Sequence, residues 1–146
     1  MDEIIRLARY SITAPFPSDR NLALDSLKDR LREEPANGGA DGLSLIFSII
    51  AKEQGDEGIC NAALSYVTEQ HSLQDIAEHA SLWSIRVSAA ERLYDTELSQ
   101  LVYDEVARQA EDSSVRARAA LRLNDQEALT EIAQNDDCLE VRLTAL

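Results

Sequence analysis

The sequence predicts an all-α fold: a row of about four helical hairpins behind a divergent N-terminal helical unit. Three observations lead there. The chain repeats itself, its apolar residues recur at helical spacing, and only 5 Gly and 3 Pro interrupt 146 residues of which 45% are hydrophobic.

The repeat is the strongest of the three. Ile76-Ala77 leads to Ile85-Arg86, Val106-Ala107 to Val115-Arg116, and Ile132-Ala133 to Val141-Arg142. In each copy the Ala precedes the Arg by nine positions, and a weaker copy runs from Ile50-Ala51 to Ile59-Cys60. The recurring alanines at 51, 77, 107 and 133 give offsets of 26, 30 and 26. The longer interval holds four extra residues between Leu93 and Tyr103, about one helical turn.

Each copy carries two helix patterns. In the second, Ile85, Ala89 and Leu93 are echoed by Val115, Ala119 and Leu123 and by Ile59, Ala63 and Val67, an i, i+4, i+8 stripe on one face. In the first, Leu73, Ile76, Ala77 and Ala80 are echoed by Tyr103, Val106, Ala107 and Ala110, with Phe47, Ile50, Ala51 and Leu129, Ile132, Ala133 in the same register. The recurring small Ala lets paired helices approach closely. Helix starts are expected at Ser72 with Asp75 and at Asp137 with Glu140, both spaced as capping boxes. Asp56, and Asp112 or Ser113, are further caps.

Residues 1–42 form the divergent unit and 43–146 the repeats, within one domain. A helix near Asp2 to Tyr10 stops before Ala14-Pro15-Phe16-Pro17, since proline lacks the amide and restricts its predecessor. Ser18 is expected to cap a second helix, carrying Leu24, Leu27 and Leu31 and ending before Pro35. Gly38-Gly39-Ala40-Asp41-Gly42 reads as a loop. The dense apolar run Leu43 to Ala51 is far shorter than the roughly 20 residues that span a bilayer. The opening Met1-Asp2-Glu3 is acidic rather than basic, so an export signal is not expected.

The net charge is -13, from 27 acidic and 14 basic residues, distributed as -5 over 1–73 and -8 over 74–146. Such a field repels nucleic acid and anionic membranes, whose binding draws on Lys and Arg, and complements a basic partner. The alternative reading of the acidity is solubility. With two cysteines a disulfide framework is not expected, and a reducing cytoplasm is the default. Cys60 and Cys138 lie nearly three repeats apart, about 25–30 Å at roughly 8–10 Å per packed helix, too far to bridge.

Val115-Arg116-Ala117-Arg118-Ala119-Ala120-Leu121-Arg122-Leu123-Asn124-Asp125, continuing to Leu129, Ile132 and Ala133, resembles the bacterial HEAT-like repeats, including the type named after phycobilisome lyases. The resemblance covers 50–146 well and 1–49 poorly. It implies an α-solenoid whose concave face is lined by the second helix of each pair, and a scaffold that binds proteins rather than a catalyst. Cys60 departs from the pattern, standing where the other copies have Arg.

Arg86, Arg116 and Arg142 are expected to form a structural ladder, one per repeat, bonding carboxylates or carbonyls of adjacent turns; a basic stripe for an acidic ligand is the competing reading. Arg118 and Arg122, i, i+4 on one helix, and Leu82 with Trp83 in an inter-helix turn are the candidate partner-binding residues. For Trp83 the competing reading is an indole folded back over its neighbour. His71, Asp75 and His79 have i, i+4, i+8 spacing, but a cap at Ser72 leaves His71 outside the helix, and no metal site is expected. Cys60 is expected to pack as a small apolar group. Asp104-Glu105 and Asp136-Asp137 read as solvated surface.

No cofactor or catalytic residue is expected. The favoured function is a non-catalytic scaffold binding a basic protein or peptide on the concave face of helices at 56–68, 82–94, 113–123 and 137–146. The alternative is an enzyme or enzyme-assisting relative of bilin lyases or DNA glycosylases; the second of these needs a cationic, aromatic groove, against which stand only two lysines, Lys28 and Lys52, and an isolated Trp83. The face near Val141 and Ala145 is expected to meet a second copy, a partner or a downstream domain.

Overall fold

The computed structural model describes residues 2–33, 42–53 and 55–146, and among them finds ten helices and no strand. They are α1 Asp2–Thr13, α2 Pro17–Glu33, α3 Gly42–Lys52, α4 Glu57–Leu64, α5 Gln70–His79, α6 Trp83–Ala90, α7 Thr96–Gln109, α8 Ser113–Ala120, α9 Gln126–Asn135 and α10 Leu139–Thr144. The expected loop at Gly38-Gly39-Ala40-Asp41 and the stop at Pro35 lie outside the described residues, while Gly42 opens α3.

Consecutive helices pair as hairpins: α1 with α2, α3 with α4, α5 with α6, α7 with α8, and α9 with α10. From α3 onward two parallel rows run through the hairpins. Odd helices touch odd neighbours, α3–α5–α7–α9, and even helices touch even ones, α4–α6–α8–α10. The first hairpin breaks this rule, because α1 packs on both α3 and α4 while α2 packs on α1 and α3. It is the divergent unit seen in the sequence.

Residues 26 or 30 apart hold equivalent places. Ile50, Ile76, Val106 and Ile132 are all buried, as are Ala63, Ala89, Ala119 and Ala145. Ala51, Ala77 and Ala107 are buried too, but Ala133 is only half-buried, since α9 has α7 and α10 beside it and no further odd helix. Phe47, Leu73, Ile85 and Val141 are among the largest fully buried side chains, each contributing about 1.5–3 kcal/mol by leaving water. Phe47 also stacks on Tyr66, ring centres 4.5 Å apart. The four extra residues lengthen α7, which has 14 residues against 10 in α5 and α9.

The hairpin turns repeat as closely as the core. At the ends of α5, α7 and α9 the backbone swings to extended geometry at Ala80 (φ -59, ψ 142), Ala110 (φ -62, ψ 136) and Asp136 (φ -63, ψ 139). The even helices end differently, in a tight right-handed turn at Ser65, Glu91, Leu121 and Ala145, whose N–H is shared between two carbonyls. Alternating these two exits lets the chain double back without glycine.

Several helix starts differ from expectation. α2 begins at Pro17 rather than behind Ser18, because a proline in the first turn sacrifices an amide that has no helical partner. Ser72 is no cap: α5 starts at Gln70, and Ser72 is buried inside it. The capping box at Asp137 and Glu140 does not form either, since Cys138 is the N-cap residue of α10 and makes no side-chain cap bond. Asp56 and Asp112 do cap, accepting from the N–H groups of Ile59 and Ser114. The even helices are also shorter than the expected spans at 56–68, 82–94, 113–123 and 137–146.

Candidate docking surface

The ladder arginines close the hairpins. Arg86 Nε donates to the Ala80 carbonyl at 2.7 Å, Arg116 Nη1 to Ala110 at 2.8 Å and Arg142 Nη1 to Asp136 at 2.7 Å, each reaching back six residues. A cation thereby meets the exposed carbonyl end of the preceding odd helix, where the helix dipole favours positive charge. At the fourth equivalent position the Cys60 thiol points at the carbonyls of Ile50 and Glu53, at 3.8 and 3.6 Å. Burial pushes that thiol above its usual range, and Cys60 is only 2% exposed, the small apolar packing expected of it.

Two ladder arginines also reach the next hairpin. Arg86 Nη1 lies 3.5 Å from Glu105. Arg116 does more: Nε sits 3.0 Å from Asp136 Oδ2 and Nη2 2.8 Å from Asp137 Oδ1. Asp136 is therefore not solvated surface, having 9% of its side chain exposed, whereas Asp137 has 90% exposed. Neighbouring carboxylates diverge on a helix, but in this turn a guanidinium gathers both. Burial alone would raise the Asp136 carboxyl; its bonds to Arg116 and the Cys138 N–H outweigh that, so it titrates below the usual carboxylate range. Asp104 and Glu105 are half-exposed but paired, with Arg108 and Arg86 respectively.

Arg118 and Arg122 both converge on Glu91 at the end of α6, at 2.5 and 3.2 Å, and Arg118 also bonds the Ser88 hydroxyl. About half of each arginine side chain stays exposed (43% and 56%), so the pair ties the end of α8 to α6 while remaining partly open to solvent. Leu82 is the N-cap residue of α6 and Trp83 its first residue, and both pack half-buried against the core. Arg86 lies over the Trp83 ring, 4.5 Å from its centre.

His71 lies within α5, contrary to expectation, because the helix starts earlier than a cap at Ser72 would place it. Asp75 pairs with Lys52 and, through Oδ1 at 3.0 Å, with His79 Nδ1. The bond from Lys52 outweighs the cost of burial and, with His79, holds the Asp75 carboxyl below its ordinary value. No group of three or more His, Cys, Asp and Glu side chains suited to a metal occurs among the described residues. Cys60 and Cys138 are both free thiols.

Two features escaped the sequence reading. One is a set of exposed leucines, Leu121 (71%) just after α8, Leu139 (60%) and Leu143 (58%) on α10, and Leu146 (91%) just after it. Leu143 occupies the repeat position of Val87 and Ala117, which are 0% and 8% exposed because the following even helix covers them. The other is a glutamine staple. Gln70 donates to the Arg92 carbonyl and accepts from the Tyr94 N–H, and Gln100 does the same with Arg122 and Asn124. Each staple locks an odd helix to the turn of its own hairpin's far end. The signal was present, since Gln70, Gln100 and Gln126 share the 30 and 26 offsets of the alanines.

Charge separates between the odd and even helices of the last three hairpins, though not in α3 and α4, which carry Lys52 and Glu57. Helices α5, α7 and α9 carry seven acidic residues (Asp75, Glu78, Glu97, Asp104, Glu105, Glu127, Glu131) against Arg108 alone. Helices α6, α8 and α10 carry Arg86, Arg116, Arg118 and Arg142 against Glu140. No described helix is long and apolar enough to cross a membrane. Comparison of the chain with protein-family models, with curated proteins and with solved structures finds no match in any of the three.

Proposed function

We propose that the chain is a HEAT-like helical-repeat protein, an α-solenoid acting as a non-catalytic scaffold that docks a protein or peptide on its even-helix row. One observation carries the reading: Leu121, Leu139, Leu143 and Leu146 stand exposed on or just beyond α8 and α10, with Arg118 on α8 and Arg122 just after it half-exposed. Exposed leucines together with half-exposed arginines on one row of helices are the chemistry of a protein interface, because desolvation of the leucines drives association while the charges set orientation. The acidic odd row favours a partner with a basic flank, which would approach along its field. The free thiols fit a reducing cytoplasm.

The test is partner capture by the full chain, compared with Leu121→Asp/Leu143→Asp, Arg118→Glu and Trp83→Ala variants. The expected result is that one captured protein is lost from the double leucine variant and weakened by Arg118→Glu, with native circular dichroism in each. Retention of every captured protein by the double leucine variant would overturn the assignment of the surface.

A further inference from the structure

The seam between the divergent first hairpin and the α3–α4 hairpin leaves a groove. Its walls are the end of α1, the start of α2 and the end of α4, and it encloses about 370 Å³, a volume in the range of small-ligand sites. Arg20 and Asn21 line it from α2, Ser65 and Tyr66 from the end of α4, with Ile12 and Pro17 supplying apolar wall.

Arg20 is the unusual member. Its Nε is buried without a hydrogen-bond partner, the only such side-chain atom among the described residues. A buried donor left unmade costs about 1–3 kcal/mol, so the fold gains nothing from leaving it so. Acidic residues outnumber basic ones 27 to 14, yet no acidic residue among the described ones pairs with this half-buried guanidinium. The other partly covered arginines, Arg9, Arg86 and Arg142 among them, each meet a carboxylate or a carbonyl. Arg6, which has no partner among the described residues either, is exposed and solvated.

The groove's other polar groups are also uncommitted. The Asn21 side chain and the Tyr66 hydroxyl bond nothing among the described residues, and the Ser65 hydroxyl donates to the Ala62 carbonyl and keeps its acceptor pairs free. Tyr66 is held in place by its stack on Phe47. A planar guanidinium beside an amide and a phenol matches a carboxylate or phosphate group, which accepts from all three.

We propose that this groove binds a small molecule through an oxyanion, carboxylate or phosphate, with Arg20 as its counter-charge and Asn21 and Tyr66 as further donors. The site stands on its own observations and does not depend on the docking surface of α8 and α10.

Amide spectra of the full chain, titrated separately with inorganic phosphate and with citrate at constant ionic strength, test it. Saturable shifts confined to residues around 11–12, 20–21 and 65–66 are expected in at least one titration. They should weaken at least tenfold in Arg20→Gln and stay unchanged in Arg6→Gln. Saturation by phosphate alone assigns a phosphate ligand and by citrate alone a carboxylate. Absence of saturable shifts in both titrations, or equal shifts in Arg20→Gln, overturns the site. A second measurement separates ligand binding from a structural role. Arg20→Met removes an unpaired charge, so its Tm should be unchanged or higher; a Tm lower by several degrees would show that Arg20 holds the fold instead.

Discussion

Arg116 on α8 and Asp136 in the turn between α9 and α10 form the most buried ion pair among the described residues, Nε to Oδ2 at 3.0 Å with 10% and 9% of the side chains exposed. The same guanidinium bonds the Ala110 and Glu111 carbonyls and Asp137. One side chain thus closes its own hairpin and holds the next. Arg116→Ala leaves Asp136 covered without its counter-charge and is expected to lower unfolding stability by about 3 kcal/mol, read by urea denaturation. Arg142→Ala, which loses one carbonyl bond at the end of the rows, should cost about 1 kcal/mol.

The pair also sets an acid response. The folded-state carboxyl of Asp136 lies below its unfolded value of about 3.9, so its stabilisation is fully present above that value and disappears as pH falls through the lower folded one. Asp75 is shifted the same way by Lys52 and adds to the effect. Hydrogen-exchange protection of the α10 amides should therefore fall steeply below about pH 4. In Asp136→Asn protection should already be low at neutral pH and depend less on acid.

The glutamine staples give a prediction with a built-in control. Gln100→Ala removes two bonds to the turn at Arg122 and Asn124 and should cost about 1 kcal/mol, with faster exchange at the Asn124 amide. Gln126 stands at the same repeat position, exposed and with its side chain bonded to nothing among the described residues, so Gln126→Ala should stay within about 0.5 kcal/mol of the parent.

The two thiols should react in sequence. The nearby Val141 N–H, then the Ser113 hydroxyl and the Glu140 N–H, favour the thiolate of the half-buried Cys138 and draw it below the ordinary thiol range, while burial raises Cys60. A thiol-specific chromogenic reagent at neutral pH should titrate one group in the native protein, lost in Cys138→Ser, and the second only after denaturant is added. Two groups reacting together would contradict the burial of Cys60.

Trp83 is the only tryptophan, so its fluorescence reports one place. With the indole half-buried under Arg86, its emission should be blue-shifted from that of the unfolded chain. Trp83→Ala should cost about 1–2 kcal/mol, from lost apolar contact together with the cation–π pair, and Trp83→Phe less. A loss near zero would mean that the ring adds nothing to the fold.

The sequence by itself determined the helices, their pairing and their register, because a helical face is written in local spacing: Ile76 and Ala77 recur as Val106 and Ala107, and each pair is buried at the same place. It also marked the ladder arginines, since each bonds a carbonyl only six residues back. What lies between hairpins was decided by the tertiary structure alone. That Asp136 is buried rather than solvated, that Glu91 gathers Arg118 and Arg122, and that Leu143 is bare where Val87 is covered all depend on which helix stacks beside which. The groove at Arg20 has the same origin: it opens where α1 instead of α2 meets α4, an arrangement no periodicity encodes. Local spacing fixes which face of a helix turns inward, but the exposure and charge pairing of a side chain are set by its neighbours across the seam, which lie 19 or more residues away.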